Sequence, residues 1–161
     1  GYDGLLNPDR YPDRGVFELT EERVHGIGAL GGTILGSTNR GSPLAYPVQG
    51  PDGEWRQVDR RDELIAAIRG HGCDALVSIG GDGSLTIANA LHERGLPVVG
   101  VPKTIDNDLE RTACTFGFDT AVQFATECID RLRTTAQSHG RIMVVEVMGR
   151  SAGWIALSAG L

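Results

Sequence analysis

Apolar positions along the second half of the chain recur at two periods, and each period predicts its own kind of element. Leu64, Ile65 and Ile68 share one face of a 3.6-residue turn behind Asp59, a candidate N-cap, and the glycines at 70 and 72 close the pattern. Residues 75–79 are apolar without alternation, as parallel strands covered on both faces tend to be. A helix is expected over 84–94, with Ile87, Ala88 and Leu91 inward and Gly95 at its C-terminal cap, followed by a strand over 96–101. The longest helix is predicted over 119–138. Ala121, Ala125, Cys128 and Leu132 form its stripe, Val122 and Ile129 flank it, Glu127 and Arg131 make an i,i+4 pair, and Gly140 ends it. A further buried strand over 142–147 leads to a helix from Ser151 onward, carrying Ala152, Ile155, Ala156 and Ala159.

The first 58 residues are less periodic. Ile34 and Leu35 sit between small residues over 31–37, which reads as a strand entering a ligand loop. Pro47, Pro51, Asp52 and Gly53 give 46–55 the turn chemistry of a surface excursion or hairpin tip. Strand, helix, strand, long loop, helix, strand, helix is a βαβ succession. It implies an α/β fold, a doubly wound and mostly parallel sheet of the Rossmann-like three-layer kind with right-handed crossovers. Ligands in such sheets collect beyond the carboxyl ends of the strands, which singles out 80–84, 102–108 and 148–151.

Composition narrows the classes. At 161 residues, 40% hydrophobic and 22% charged, the chain reads as one domain over 1–161. Its 23 glycines fall at strand ends and helix starts, where a nucleotide-binding fold uses them. A net charge of −6 without a Lys/Arg cluster argues against nucleic-acid and anionic-membrane partners, and no run is long enough to span a bilayer. The opening Gly1-Tyr2-Asp3-Gly4 is no signal peptide, and both ends read as truncated, since the first residue is not Met and the last falls inside a predicted helix. Cys73, Cys114 and Cys128 are odd in number and far apart, as expected of reduced thiols in a cytoplasmic protein. His25, His71, His92 and His139 have no metal-ligand spacing.

The three loops carry the chemistry. In Gly80-Gly81-Asp82-Gly83-Ser84 the glycines let backbone N–H groups converge on an anion, and a helix opening at Ser84 adds its positive end. Asp82 repels phosphate, so its natural task beside one is to hold Mg²⁺. The bland alternative is an ordinary tight turn. Pro102-Lys103-Thr104-Ile105-Asp106-Asn107-Asp108 offers a cation, a hydroxyl and two carboxylates, either as a solvated Asx-turn or as phosphoryl-transfer machinery with an acid to take a hydroxyl proton. Met148-Gly149-Arg150-Ser151 adds a guanidinium suited to phosphate.

These segments, together with Thr115-Phe116-Gly117-Phe118-Asp119-Thr120-Ala121 and Val145-Glu146-Val147-Met148-Gly149-Arg150, in this order, resemble 6-phosphofructokinases. NAD kinases and diacylglycerol kinases share the first glycine motif but not the later two. Gly1-Tyr2-Asp3-Gly4-Leu5 and Gly31-Gly32-Thr33-Ile34-Leu35-Gly36-Ser37 also match, so the resemblance runs nearly end to end, over part of a family subunit. It implies a truncated phosphofructokinase-like N-terminal nucleotide-binding domain. By the resemblance, Asp106 is the base on the 1-hydroxyl of fructose 6-phosphate, Thr104 lies near the transferred phosphoryl, and Asp108 helps with metal or charge. Asp82 is the Mg²⁺ contact, and Gly80, Gly81, Gly83 and Ser84 form the nucleotide-phosphate cradle. Tyr2 falls beside the nucleotide base and Arg40 near the phosphates, with Asn39 competing for that place. Met148, Gly149 and Arg150 are sugar-phosphate contacts. Arg141 reaches the 6-phosphate of a neighbouring subunit, which implies a homo-oligomer, a dimer or tetramer; a surface charge is the other reading.

The donor rests on two positions. Gly83 is the choice of ATP users, whereas Lys103 is common in pyrophosphate users, where its ammonium holds phosphate. An absent side chain permits ATP and a lysine does not forbid it, so the expected activity is the ATP-dependent one, a glycolytic step yielding fructose 1,6-bisphosphate. The alternatives are a pyrophosphate-dependent phosphotransferase and a non-catalytic fragment or regulatory subunit. The 161-residue piece itself is expected to be inactive. The excursion over 46–55 departs from the short bacterial pattern of the family.

Overall fold

The computed structural model describes residues 1–38 and 41–161. Its elements in chain order are α1 (Tyr2–Leu6), two 3₁₀ turns, α2 (Glu21–Val24), a third 3₁₀ turn, β1 (Tyr46–Gln49), β2 (Trp55–Val58), α3 (Arg61–Gly70), β3 (Leu76–Gly80), α4 (Asp82–His92), β4 (Val98–Thr104), β5 (Phe116–Gly117), α5 (Phe118–His139) and α6 (Trp154–Gly160). Two compact units result, one of Gly1–Leu76 with Asn89–Val98 and one of Val77–Ala88 with Val99–Leu161. None of the described helices is long and apolar enough to cross a membrane.

In the first unit α1 packs against α3, whose predicted face is the buried one: Leu64 is fully covered, and Ile65 and Ile68 nearly so. Burying a leucine of this kind contributes roughly 2 kcal/mol. The N-terminal cap differs from expectation by one residue. Arg60 occupies the cap without using its side chain, while the Asp59 carboxylate accepts the Arg61 N–H at 3.0 Å. The turn-rich excursion is an antiparallel hairpin, β1 with β2, in which Tyr46 faces Val58 and Gln49 faces Trp55. Gly53, at φ +80°, closes it, and its N–H donates to the Gly50 carbonyl at 2.9 Å. Residues 31–37 form no strand. Leu30 beside this segment and Ile34 and Leu35 within it are 69%, 43% and 50% exposed, and among the described residues no strand takes up their backbone groups. The end of α4 behaves as predicted: at Gly95 (φ +84°) the N–H reaches His92 O at 2.8 Å, and Leu96 N reaches Leu91 O at 3.2 Å.

The second unit holds the sheet, in the order β3, β4, β5, with β4 and β5 parallel and Lys103 opposite Phe116. This is the α/β arrangement expected. A Cβ at Gly100 would come within 2.9 Å of Leu85, so α4 lies close on β4. Full burial of the strands, however, does not hold. Ser78 and Gly80 are covered, but Val77 and Ile79 on the opposite face of β3, and Val99 on β4, are about 60% exposed. Strand side chains alternate, so a strand that reads as continuously apolar still meets neighbours on each face separately. The core of this unit is Ala125, Ile155 and Ala159, with Ile105, Phe118, Ala121, Val122, Ile129 and Val147 packed around them. Of the predicted stripe of α5, Ala125 is buried and Ala121 and Cys128 are half-buried, whereas Leu132, one turn on, is exposed. The helix ends at Gly140 (φ +60°), and Arg141 N donates to Ala136 O at 2.9 Å. Glu127 accepts from Gln123 rather than pairing with Arg131. The expected strand over 142–147 is absent: Ile142 and Val144 are more than 90% exposed, and among the described residues no strand pairs with this segment. Helix α6 starts at Trp154, three residues after the predicted Ser151.

Candidate functional site

The glycine turn joins β3 directly to α4. A Cβ at Gly80 would stand 2.4 Å from Ser84 Oγ, and one at Gly81 would stand 3.2 Å from Thr104 Cβ. Gly80 therefore needs a missing side chain, and at Gly81 a Cβ would crowd Thr104, because the end of β4 passes alongside. The helix opens at Asp82 rather than Ser84, with Leu85 N bonded to Gly81 O at 3.0 Å. Exposed in the first turn, Asp82 complements the helix dipole. Gly83 is different: a Cβ there would meet nothing within 4 Å. Nothing in the packing of the described residues requires glycine at that position.

The Thr104–Asp108 segment is held from within. Thr104 Oγ1 accepts the Asp106 N–H at 3.2 Å, and Thr104 O accepts the Thr115 hydroxyl at 2.7 Å. Asn107, at φ +51°, adopts the left-handed conformation that asparagine tolerates, and its Oδ1 accepts the Thr115 N–H at 3.0 Å. Thr115, 3% exposed, is the clamp of this loop. Sequence reasoning placed Thr115 in a motif without a role, and the only signal was the hydroxyl next to the apolar Phe116. Thr104, Asn107 and Thr115 thus hold the loop, and among the described residues no ion pair engages the carboxylates of Asp106 and Asp108. Lys103 and Asp108 are exposed, whereas Thr104 and Asp106 are half-buried.

The third loop grows from the same core, since Val147 and Ile105 pack against the same cluster. Gly149 is buried, and a Cβ on it would strike Ala152 O at 2.3 Å, so this tight turn excludes a side chain. Ala152 N closes the turn onto Gly149 O at 2.7 Å. Arg150, at φ +50°, and Met148 are exposed on it. Arg141 is not brought to these loops. It follows the C-terminus of the 22-residue α5, whereas Phe118 at the other end adjoins the Thr104 strand, so about 33 Å of helix separates them. Tyr2 lies half-buried on α1 in the first unit. Arg40 and Asn39 fall outside the described residues.

Among the described residues no group of three or more His, Cys, Asp or Glu is placed to hold a metal ion. A lone exposed carboxylate at a helix start does not make a metal cage. It does suit an ion such as Mg²⁺, which keeps several waters and takes one or two carboxylates together with substrate phosphates. Nor does any of the ion pairs among the described residues involve Asp82, Lys103, Asp106, Asp108 or Arg150.

Comparison with known proteins bears on this arrangement. The chain is 50% identical over 161 residues to an ATP-dependent 6-phosphofructokinase 2 of Clostridium perfringens, covering 100% of the chain and 42% of that protein. It is 51% identical to an ATP-dependent 6-phosphofructokinase of Chloroflexus aurantiacus, covering 43% of it. The crystal structure of Pichia pastoris phosphofructokinase in the T-state superposes with a TM-score of 0.79 at 33% identity, over 99% of this chain and 17% of that one. The chain thus spans less than half the length of the curated relatives it matches. The model of the family described as Phosphofructokinase matches residues 1–161, and the chain belongs to that family.

Proposed function

We propose that the chain is part of a single phosphofructokinase-like domain of an ATP-dependent 6-phosphofructokinase, and that it supplies the phosphate cradle and the catalytic base. The observation that carries this reading is the contact of Gly81 with Thr104, which sets the glycine turn against the acidic loop. A phosphoryl group held at the first is then within reach of a hydroxyl held at the second, the juxtaposition in-line transfer needs.

In this reading the N–H groups around Gly80, Gly81 and Gly83 and the start of α4 bind donor phosphates, and Ser84 contributes a hydroxyl. Asp82 would hold Mg²⁺, which when bound neutralises charge on the donor phosphates. Asp106 takes the proton of the sugar 1-hydroxyl as that oxygen attacks the γ-phosphorus, the bond from that phosphorus to the β,γ-bridging oxygen breaks, and ADP leaves with the bridging oxygen. Thr104 orients the phosphoryl oxygens and Asp108 adds to the metal or charge balance. Met148, Gly149 and Arg150 bind the sugar phosphate. Arg141, a helix length from these loops, acts on the 6-phosphate of a neighbouring subunit in a homo-oligomer, a dimer or tetramer. Tyr2 beside the base and Arg40 near the phosphates rest on the family resemblance. The expected compartment is the cytoplasm.

The open space at Gly83 supports ATP, because a glycine that packing does not demand leaves room for a nucleotide phosphate. Exposed Lys103 at the end of β4 favours a second reading, pyrophosphate as donor. Assay of the intact enzyme with each donor separates them: turnover with ATP supports the first reading, and turnover with pyrophosphate alone replaces it. Asp106→Asn in the same enzyme should lower kcat about 10²- to 10⁴-fold with little change in substrate affinity. Near-normal turnover would remove Asp106 from the mechanism. The third reading, a non-catalytic piece or regulatory subunit, fails if the 161 residues alone phosphorylate fructose 6-phosphate at an enzyme-like rate.

A further inference from the structure

The acidic loop carries its two carboxylates on either side of Asn107, whose backbone is left-handed at φ +51°. Asparagine tolerates that geometry, and most side chains do not. Asn107 Oδ1 accepts the N–H of the buried Thr115 at 3.0 Å. Thr115 is itself tied down twice more: its hydroxyl donates to Thr104 O at 2.7 Å, and its carbonyl accepts the Phe118 N–H at 3.2 Å, where α5 begins. Between Thr104 and Asp106, Ile105 packs against the core of Ala125, Ile155 and Ala159. Asp106 therefore lies between two anchored neighbours, one held by apolar packing and one by a hydrogen bond. Its carboxylate enters none of the ion pairs among the described residues, so its place is set by the backbone rather than by a salt bridge. Thr104 Oγ1 accepts the Asp106 N–H at 3.2 Å, and a Cβ at Gly81 would stand 3.2 Å from Thr104 Cβ. The same brace thus refers Asp106 to the glycine turn, and every residue in it belongs to one unit.

We infer that Asn107 is a positioning residue, which through its left-handed backbone and its bond to Thr115 fixes Asp106 at one distance from a phosphate held by the glycine turn. This role rests on the reading of Asp106 as the base. A base must stand within hydrogen-bond reach of the proton it takes, and a displacement of about 1 Å can cost about 10²-fold in rate. Loss of the Asn107 acceptor takes away the partner of the Thr115 N–H and releases the chain on the far side of Asp106. The donor phosphates are gripped by a different element, so their binding stays as it was.

Asn107→Gly tests this in the intact enzyme, because glycine takes the left-handed backbone without strain and lacks only the acceptor. Its kcat should fall about 10- to 10²-fold, while KM for ATP holds within about two-fold. The decisive measurement repeats the substitution in an Asp106→Asn background. There Asn107→Gly should change kcat by less than about two-fold, since no base is left to misplace, whereas a merely structural role lowers it by the same factor in both backgrounds. Thr115→Val, which deletes the hydroxyl and keeps the N–H, carries the test if Asn107→Gly does not fold, with a loss of turnover alone and none beyond Asp106→Asn. If the folded variant keeps wild-type kcat, or loses the same factor with and without Asp106, the positioning role is wrong. If Asp106→Asn by itself leaves turnover near normal, the reading of Asp106 as the base is wrong and the role of Asn107 falls with it.

Discussion

The two units treat charge in opposite ways. In the first, Arg56 pairs with Asp52, Arg60 with Glu63, Arg61 with Asp59 and Arg94 with Asp62, and Asp3 is wrapped by three donors. In the second, Asp82, Lys103, Asp106, Asp108 and Arg150 enter none of the ion pairs found among the described residues, although the backbone of the acidic loop is hydrogen-bonded by Thr104, Asn107 and Thr115. Charges that neutralise one another orient helices and hairpins. Charges held on a satisfied backbone without partners remain available to phosphate, metal and a transferable proton.

The contrast breaks or sharpens under substitution. The largest effect is expected for Asp106→Asn, about 10²- to 10⁴-fold in turnover with an unchanged unfolding midpoint; loss of stability instead would mean that Asp106 is structural. Leu64→Ala should lower the unfolding free energy by about 2–5 kcal/mol in urea titrations while leaving any surviving folded enzyme's KM values alone, since Leu64 is fully buried in α3. Thr115→Val removes the hydroxyl that Thr104 O accepts in a half-buried loop, a cost of about 0.5–1.5 kcal/mol. Because the same bond shapes the acidic loop, its turnover should fall along with its stability. The smallest effect belongs to the surface pairs. The hydrogen bond from the Arg61 guanidinium holds the Asp59 carboxyl down to about 2 from its ordinary 3.8. A depressed acid contributes stability above its unfolded value and loses it as pH falls through the folded one. Asp59→Asn should therefore flatten the acid dependence of the urea midpoint between pH 3.8 and about 2 and change little at neutral pH, where exposed pairs contribute little.

Much of this was legible in the residues. The glycine turn follows β3 and the acidic loop follows β4, as the βαβ reading put them, and Gly81 against Thr104 brings the two together, whereas the arginine turn follows no strand among the described residues. The clamp was not legible. Thr115 holds the acidic loop from eight and eleven residues away, and a lone threonine carries no mark of that role. The Asp3 network was equally hidden, since it joins residues 39 to 54 positions apart.

What the sequence by itself determined are the features whose hydrogen bonds are local. Helices α3, α4 and α5 lie within a few residues of their predicted bounds, and Gly95 and Gly140 end theirs through bonds reaching back three to five residues. Only the tertiary structure decided which apolar runs become strands and which strand faces are covered. Residues 75–79 found β4 as a neighbour, whereas 142–147, no less apolar in pattern, and the shorter apolar core of 31–37 pair with no strand among the described residues. A helix carries its partners within its own segment, and a strand takes them from elsewhere in the fold.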